Sequence, residues 1–201
     1  MSALGDVVYL EGVDGIGDVS FDRHQVGREG MNSLKISTTV ESSDDQGNAI
    51  ANAGEVNIFK QFDPLTDRFA VETLELADTQ GNSEYWSLST TEAVREGGRV
   101  TDTYIQTDVS NTGKGILIGS DTGSDQYVVN ADADDSAEIM VVGFDANDSI
   151  DLTAFGNDLS TSVNGSDVEV SNANGDIVVT LIGLGAQTSI DEQLIGVQQQ
   201  V

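Results

Sequence analysis

The sequence predicts an all-β chain, either a β-sandwich or a short β-solenoid of the β-roll kind, with many short strands joined by Asp/Gly/Asn turns. Three observations predict it. Short segments rich in Val, Ile, Leu and Thr, several of them alternating apolar with polar, recur along the 201 residues. Gly, Asn and Asp interrupt them at intervals of about ten residues, the rhythm of sheet proteins with tight connections. No stretch sustains the 3.6-residue apolar period of a surface helix.

In chain order the expected strands are 7–10, 33–40, 55–62, 72–76 and 99–105, then 115–118, 127–129, 139–142, 149–152, 167–170 and 176–181. Segments 44–48 (Asp-Asp-Gln-Gly-Asn) and 172–176 (Asn-Ala-Asn-Gly-Asp) read as turns, because Asn and Asp bond their own backbone and Gly accepts left-handed geometry. The one proline, Pro64, falls in a turn-like phrase. Residues 107–113 read as a connector between an N-terminal β region, 1–114, and an acidic β region, 115–201. Phe62-Asp63-Pro64-Leu65-Thr66-Asp67 is echoed by Phe144-Asp145-Ala146-Asn147-Asp148, each between apolar segments. An aromatic plug before a tight acidic turn gives that pattern, and two copies do not make a repeat architecture.

The formal charge is −27, from 35 Asp and Glu against 8 Lys and Arg. Self-repulsion on this scale opposes compaction unless cations bind or salt screens it. Nucleic acid and anionic membrane surfaces are excluded as partners, since no basic patch exists to displace phosphate counterions. No apolar run approaches the roughly 20 residues of a spanning helix, so membrane insertion is not expected. All eight basic residues lie between Arg23 and Lys114. Adaptation to high salt would load both halves with acid, whereas clustered divalent-cation sites load one; the second fits the asymmetry better. With no cysteine, disulfides and thiolate metal sites are excluded.

Calcium takes six to eight oxygen ligands from carboxylates, carbonyls and amides, gathered by a turn that glycine closes. Gly119-Ser120-Asp121-Thr122-Gly123-Ser124-Asp125-Gln126-Tyr127 offers Asp121 and Asp125 around a glycine, with an apolar residue two positions on. Gly123, Asp125 and Tyr127 fit the nonapeptide G-G-x-G-x-D-x-U-x, while Ser120 and Asp121 stand where its leading glycines belong. An ordinary β-turn explains the same residues. Asn130-Ala131-Asp132-Ala133-Asp134-Asp135 places Asp132 and Asp134 at alternate positions, but an EF-hand is excluded because the sixth position is not glycine and the twelfth is Val141.

Residues 119–129, followed by Val141-Val142-Gly143-Phe144-Asp145-Ala146-Asn147-Asp148-Ser149-Ile150-Asp151-Leu152-Thr153-Ala154-Phe155-Gly156, resemble the C-terminal section of RTX (repeats-in-toxin) proteins. In these a last Gly–Asp turn and strand precede a phrase of the type D-F-x-x-x-D-x-I-D-L-S-x-F-G. Asp145, Asp148, Ile150, Asp151, Leu152, Phe155 and Gly156 match it, and Gly143 departs where Asp is usual. The segment 71–78, with Trp86-Ser87-Leu88 after it, is similar to a hemolysin-type calcium-binding module. The resemblance implies Ca2+ as the bound ion, with Asp145, Asp148 and Asp151 joining Asp121, Asp125, Asp132 and Asp134 as candidate ligands. It also implies type I export directed by an uncleaved C-terminal signal, the Lys- and Arg-free tail 190–201. The N-terminus, which shows no basic and apolar leader, leaves that route open. No tandem array of nonapeptides accompanies the match, so a long calcium β-roll is not expected.

Catalysis is not expected. His24, the one histidine, sits in a polar stretch that reads as a solvated loop, without the second histidine of a zinc protease or a nucleophile elbow. No phosphate-binding Gly loop exists. A pair of sugar-cleaving carboxylates depends on geometry that sequence does not give. Trp86, beside Tyr85, reads as core. The expectation is a secreted, extracellular or cell-surface calcium-binding structural protein that forms a homo-oligomer or polymer by strand pairing, with 7–10 and 194–197 as candidate exchanging strands. The alternative is a monomeric calcium-dependent adhesin that binds a cell-surface glycan.

Overall fold

A computed structural model of the chain describes residues 6–24, 33–43, 49–59, 61–62, 70–96, 99–120, 124–131, 136–156, 158–184 and 194–195. The protein is all-β, as expected: sixteen strands and two single-turn 3-10 helices make up its described regular structure. Among these residues no helix is long and apolar enough to cross a membrane. The chain divides into two compact units, Leu4–Tyr85 and Trp86–Val201. The charge step at Lys114 therefore falls inside the second unit. Charge reports the surface, whereas the division follows the packing.

In the first unit, β1 (Val7–Glu11) pairs in parallel with β5 (Thr73–Ala77), Val7 facing Thr73 and Glu11 facing Ala77. Strands β2 (Val19–His24), β3 (Ser33–Ser43) and β4 (Ala49–Ile58) form an antiparallel sheet. Leu34 and Ile36 of β3 are buried, with Phe21 and Ile58 opposite them in register. Lys35, between them in sequence, points to the other face and meets Glu55 at 3.7 Å, the alternation a one-sided sheet requires. The stretch around His24, expected as a loop, is strand instead: Phe21 is buried, and the Arg23 guanidinium lies 4.5 Å over the ring of buried Phe62. That apolar contact is what the polar-looking sequence hides.

Gln61 is buried, and its amide both donates to the Val71 carbonyl and accepts from the Val71 N–H, at 2.8 Å each. Gln61→Ala strands both backbone groups and is expected to destabilise the first unit by about 2 kcal/mol. Hydrogen-exchange protection of β3 and β4 is the measurement.

The second unit begins within β6 (Ser83–Leu88) and continues with β7 (Thr90–Glu96), β8 (Arg99–Asp108), β9 (Lys114–Ile118), β10 (Gln126–Asn130), β11 (Ala137–Val142) and β12 (Ser149–Asp151). After it come β13 (Leu159–Asn164), β14 (Asp167–Asn172), β15 (Ile177–Leu181) and β16 (Leu194–Ile195). From β8 onward the chain passes back and forth between two sheets. Ser87–Leu88 of β6, then β9, β11 and β15 lie side by side in parallel in one; β8, β10, β12 and β16 do so in the other. This is a coil, so of the two expected architectures this unit takes the solenoid. Two antiparallel hairpins ornament it: β7 with β8, and β13 with β14, the latter pairing on to β15.

The apolar faces of the two sheets share one core. Ile105, Tyr127, Val129 and Ile150 come from one sheet, and Leu117, Ile139, Val141, Val170, Val179 and Leu181 from the other. Strands β10, β11 and β15 alternate buried with partly exposed or exposed residues, which the sequence pattern anticipated. In β9, residues 115–118 are all buried, as in a parallel strand covered on both faces. The expected connector at 107–113 is corrected: Thr107 and Asp108 end β8, and Val109 is buried, its N–H bonded to the Asn130 carbonyl at 2.9 Å. Glycine at 115 leaves room for that valine, whose Cγ1 lies 2.6 Å from where a Cβ would stand. A polar sequence with one inward valine reads as a linker until its packing partner is known.

Candidate functional site: two stacked acidic turns

In the coil each residue of β9 faces the residue 24 positions later in β11, Lys114 with Glu138 and Ile118 with Val142. The described ends of the turn after β9, Gly119–Ser120 and Ser124–Asp125, therefore lie against the turn after β11, from Gly143 to Asp148. The Gly119 N–H donates to the Val142 carbonyl at 2.9 Å, and the Ser149 N–H to the Asp125 carbonyl at 3.0 Å, closing both ends of the stack.

Asp148 holds the two turns together. The residue is only 3% exposed. Oδ1 accepts the Asp125 N–H and Oδ2 the Asp145 N–H, both at 2.7 Å. Burial pushes this carboxyl up to about 6; the two N–H bonds oppose the rise, and the neighbouring Asp145 and Asp125 charges add to it. Asp125 Oδ2 accepts the Ser120 N–H (2.8 Å) and hydroxyl (3.1 Å), curling its own turn. Asp145 Oδ1 accepts the Asn147 N–H at 2.6 Å, and the Ser124 hydroxyl crosses to the Asn147 carbonyl at 2.8 Å. Among the described residues, the second oxygens of Asp125 and Asp145 take no hydrogen bond.

Aromatic packing supports the stack from inside. Tyr127 and Phe144 lie with ring centroids 5.5 Å apart, and the Tyr127 hydroxyl donates to the Gly143 carbonyl at 3.3 Å. Gly143, the departure from the RTX phrase, has φ +78°, and a Cβ there would stand 3.1 Å from the Gly119 carbonyl oxygen. A left-handed residue pressed against the turn beneath it calls for glycine.

The sequence candidates thus separate. Asp125, Asp145 and Asp148 are brought together. Asp151 is not among them: its Oδ1 accepts the Thr153 N–H (2.9 Å) and hydroxyl (2.7 Å), just ahead of the single helical turn Thr153–Phe155. Asp121, Asp132 and Asp134 lie outside the described residues, as does the proposed export tail apart from Leu194–Ile195. Ser120, Ser124 and Tyr127 were not singled out as site residues by sequence. Among the described residues no group of three or more His, Cys, Asp and Glu side chains is arranged to hold a metal ion.

Trp86 is 1% exposed, with the Lys114 ammonium 4.9 Å over its ring, so it is a core residue. Lys114 also pairs with Glu138 at 2.7 Å, tying neighbouring strands of the coil. Comparison with family models, with curated proteins and with solved structures finds no match to this chain.

Proposed function

We propose that this is an extracellular structural protein of RTX-like kind, whose acidic coil takes up calcium and whose subunits then assemble by strand pairing. One observation carries the reading: Asp148 bonds the backbone of both Asp125 and Asp145, which brings together two carboxylates that each keep one oxygen without a hydrogen bond among the described residues, in a half-chain with no Lys or Arg after Lys114. All the donors are oxygens, the chemistry a hard divalent cation selects. Asp125 and Asp145 would hold the ion together with carbonyls of the same turns, while Asp148, bonded through both oxygens, keeps the turns in register. Bound calcium also offsets the repulsion among carboxylates that salt screens only beyond about 8 Å.

Thermal unfolding of the second unit, followed through the emission of Trp86, tests the uptake. Calcium at 100 times its dissociation constant is expected to stabilise the native state by about 2.7 kcal/mol over chelator. Asp125→Ala is expected to abolish most of that gain and Asp151→Ala to leave it. An unfolding midpoint that is the same in calcium and chelator overturns the calcium reading. Light scattering and electron microscopy across a calcium series, with sodium chloride as control, test the assembly.

A further inference from the structure

Strand β13 is an open edge. Among the described residues it pairs only with β14. The hairpin closes through Gly165 and Ser166, with Asn164 opposite Asp167 and Gly165 at φ +65°. In a hairpin with a two-residue loop the closing pair is hydrogen-bonded, and bonding then alternates along the strand. Asn164, Ser162 and Ser160 therefore face β14, while Val163, Thr161 and Leu159 send their N–H and C=O groups outward. Natural sheets guard such an edge with charge, proline, a bulge or a cover. Here Leu-Ser-Thr-Ser-Val-Asn carries no charge and no proline in a chain of net charge −27, residues 160–164 are all exposed, and Val163 is 64% exposed.

A second unguarded edge lies in the first unit. Among the described residues β1 pairs only with β5. Residues 7–10 carry no charge, with Asp6 before them and Glu11 ending the strand, and Val7 and Tyr9 are 42% and 53% exposed on one face. Their spacing, two residues, is that of Thr161 and Val163.

We infer that β13 is the acceptor edge for β1 of a second copy of this chain, so that copies join head to tail. The inference rests on the self-assembly proposed above and names its two surfaces. Charge selects the partner: the uncharged strand 159–164 offers nothing to a basic or acidic ligand, and a copy with −27 approaches it with least repulsion through the uncharged run 7–10. Because donor and acceptor are different strands, the contact is heterologous and leaves a free edge at each end.

Thr161→Pro tests this. It removes an outward N–H while sparing the bonds to β14, and proline is tolerated on an edge strand. Val163→Glu tests the same edge through charge. In calcium the wild-type chain is expected to polymerise and each variant to remain a monomer with unchanged Trp86 emission. Thr161→Pro keeps its own β1, so it should add to a growing end and stop it. Mixed at one part in ten, it should hold polymers to about ten subunits. If both variants polymerise like wild type, the inference fails and self-assembly stands. If Thr161→Pro is left out of wild-type polymers without shortening them, head-to-tail pairing on β13 fails. A wild-type chain that stays monomeric at every calcium concentration overturns both proposals.

Discussion

Acidifying the protein from about pH 7 to about pH 4, in chelator, is expected to strengthen the second unit. The cause is Asp148, whose folded-state value is raised to about 6 by burial. A carboxyl raised on folding binds its proton more tightly in the native state than in the unfolded chain. Its contribution is fully present below the unfolded value near 4, and is lost as pH climbs through about 6. At 1.36 kcal/mol per unit the whole effect is about 3 kcal/mol. Relief of general repulsion among the acidic residues acts in the same direction. Trp86 is the one tryptophan and stands at the start of this unit, so its emission reads the transition. Asp148→Asn is the control. It has no proton to exchange, so the rise in stability between pH 6 and 4 should shrink to what the remaining carboxylates give. An unchanged pH profile in that variant would remove Asp148 from its place at the centre of the stack.

Gly119→Ala is expected to cost about 3 kcal/mol or more, an unusual loss for adding one methyl group. A Cβ at 119 falls on the Tyr127 hydroxyl and lies 2.9 Å from Asp125 Oδ2. The tyrosine has no room to retreat, being 1% exposed and packed against Phe144. The carboxylate is fixed by Ser120. The cause can be isolated. Tyr127→Phe alone should cost about 1 kcal/mol, the usual worth of a hydroxyl hydrogen bond. In that background Gly119→Ala should cost less, since the nearest atom it strikes is gone, although the ring Cζ still lies 2.8 Å from the added Cβ. Strict additivity of the two changes would show that the methyl group disturbs something else.

How much of this was legible beforehand depended on where the signal was stored. The β class showed in local alternation, and strands β10, β11 and β15 were read where they stand, since apolar and polar residues alternate there against one core. Strand β13 escaped because an exposed edge of Ser, Thr and Asn has nothing to alternate. Strands β2, β6 and β7 escaped as well, their apolar residues being too few or too crowded among polar ones. The coil itself was invisible: parallel partners 24 residues apart, such as Lys114 and Glu138, share a register but no sequence. At the site, Asp125 was marked by its glycine-bracketed turn and Asp148 by the resemblance to the RTX phrase. What each carboxylate does was not marked. That Asp148 serves two backbone N–H groups depends on one turn lying over another, which no local spacing encodes.

The step of 24 residues has a consequence for how such a gene can change. Gly119 and Gly143 occupy equivalent places, each directly following one of two paired strands and each opening an acidic turn. Excising the codons for residues 119–142 would join Ile118 to Gly143 at a seam chemically like the original Val142–Gly143, keeping every remaining side chain on its own side of the sheet. Excising an odd fraction of that length would turn the following strand inside out.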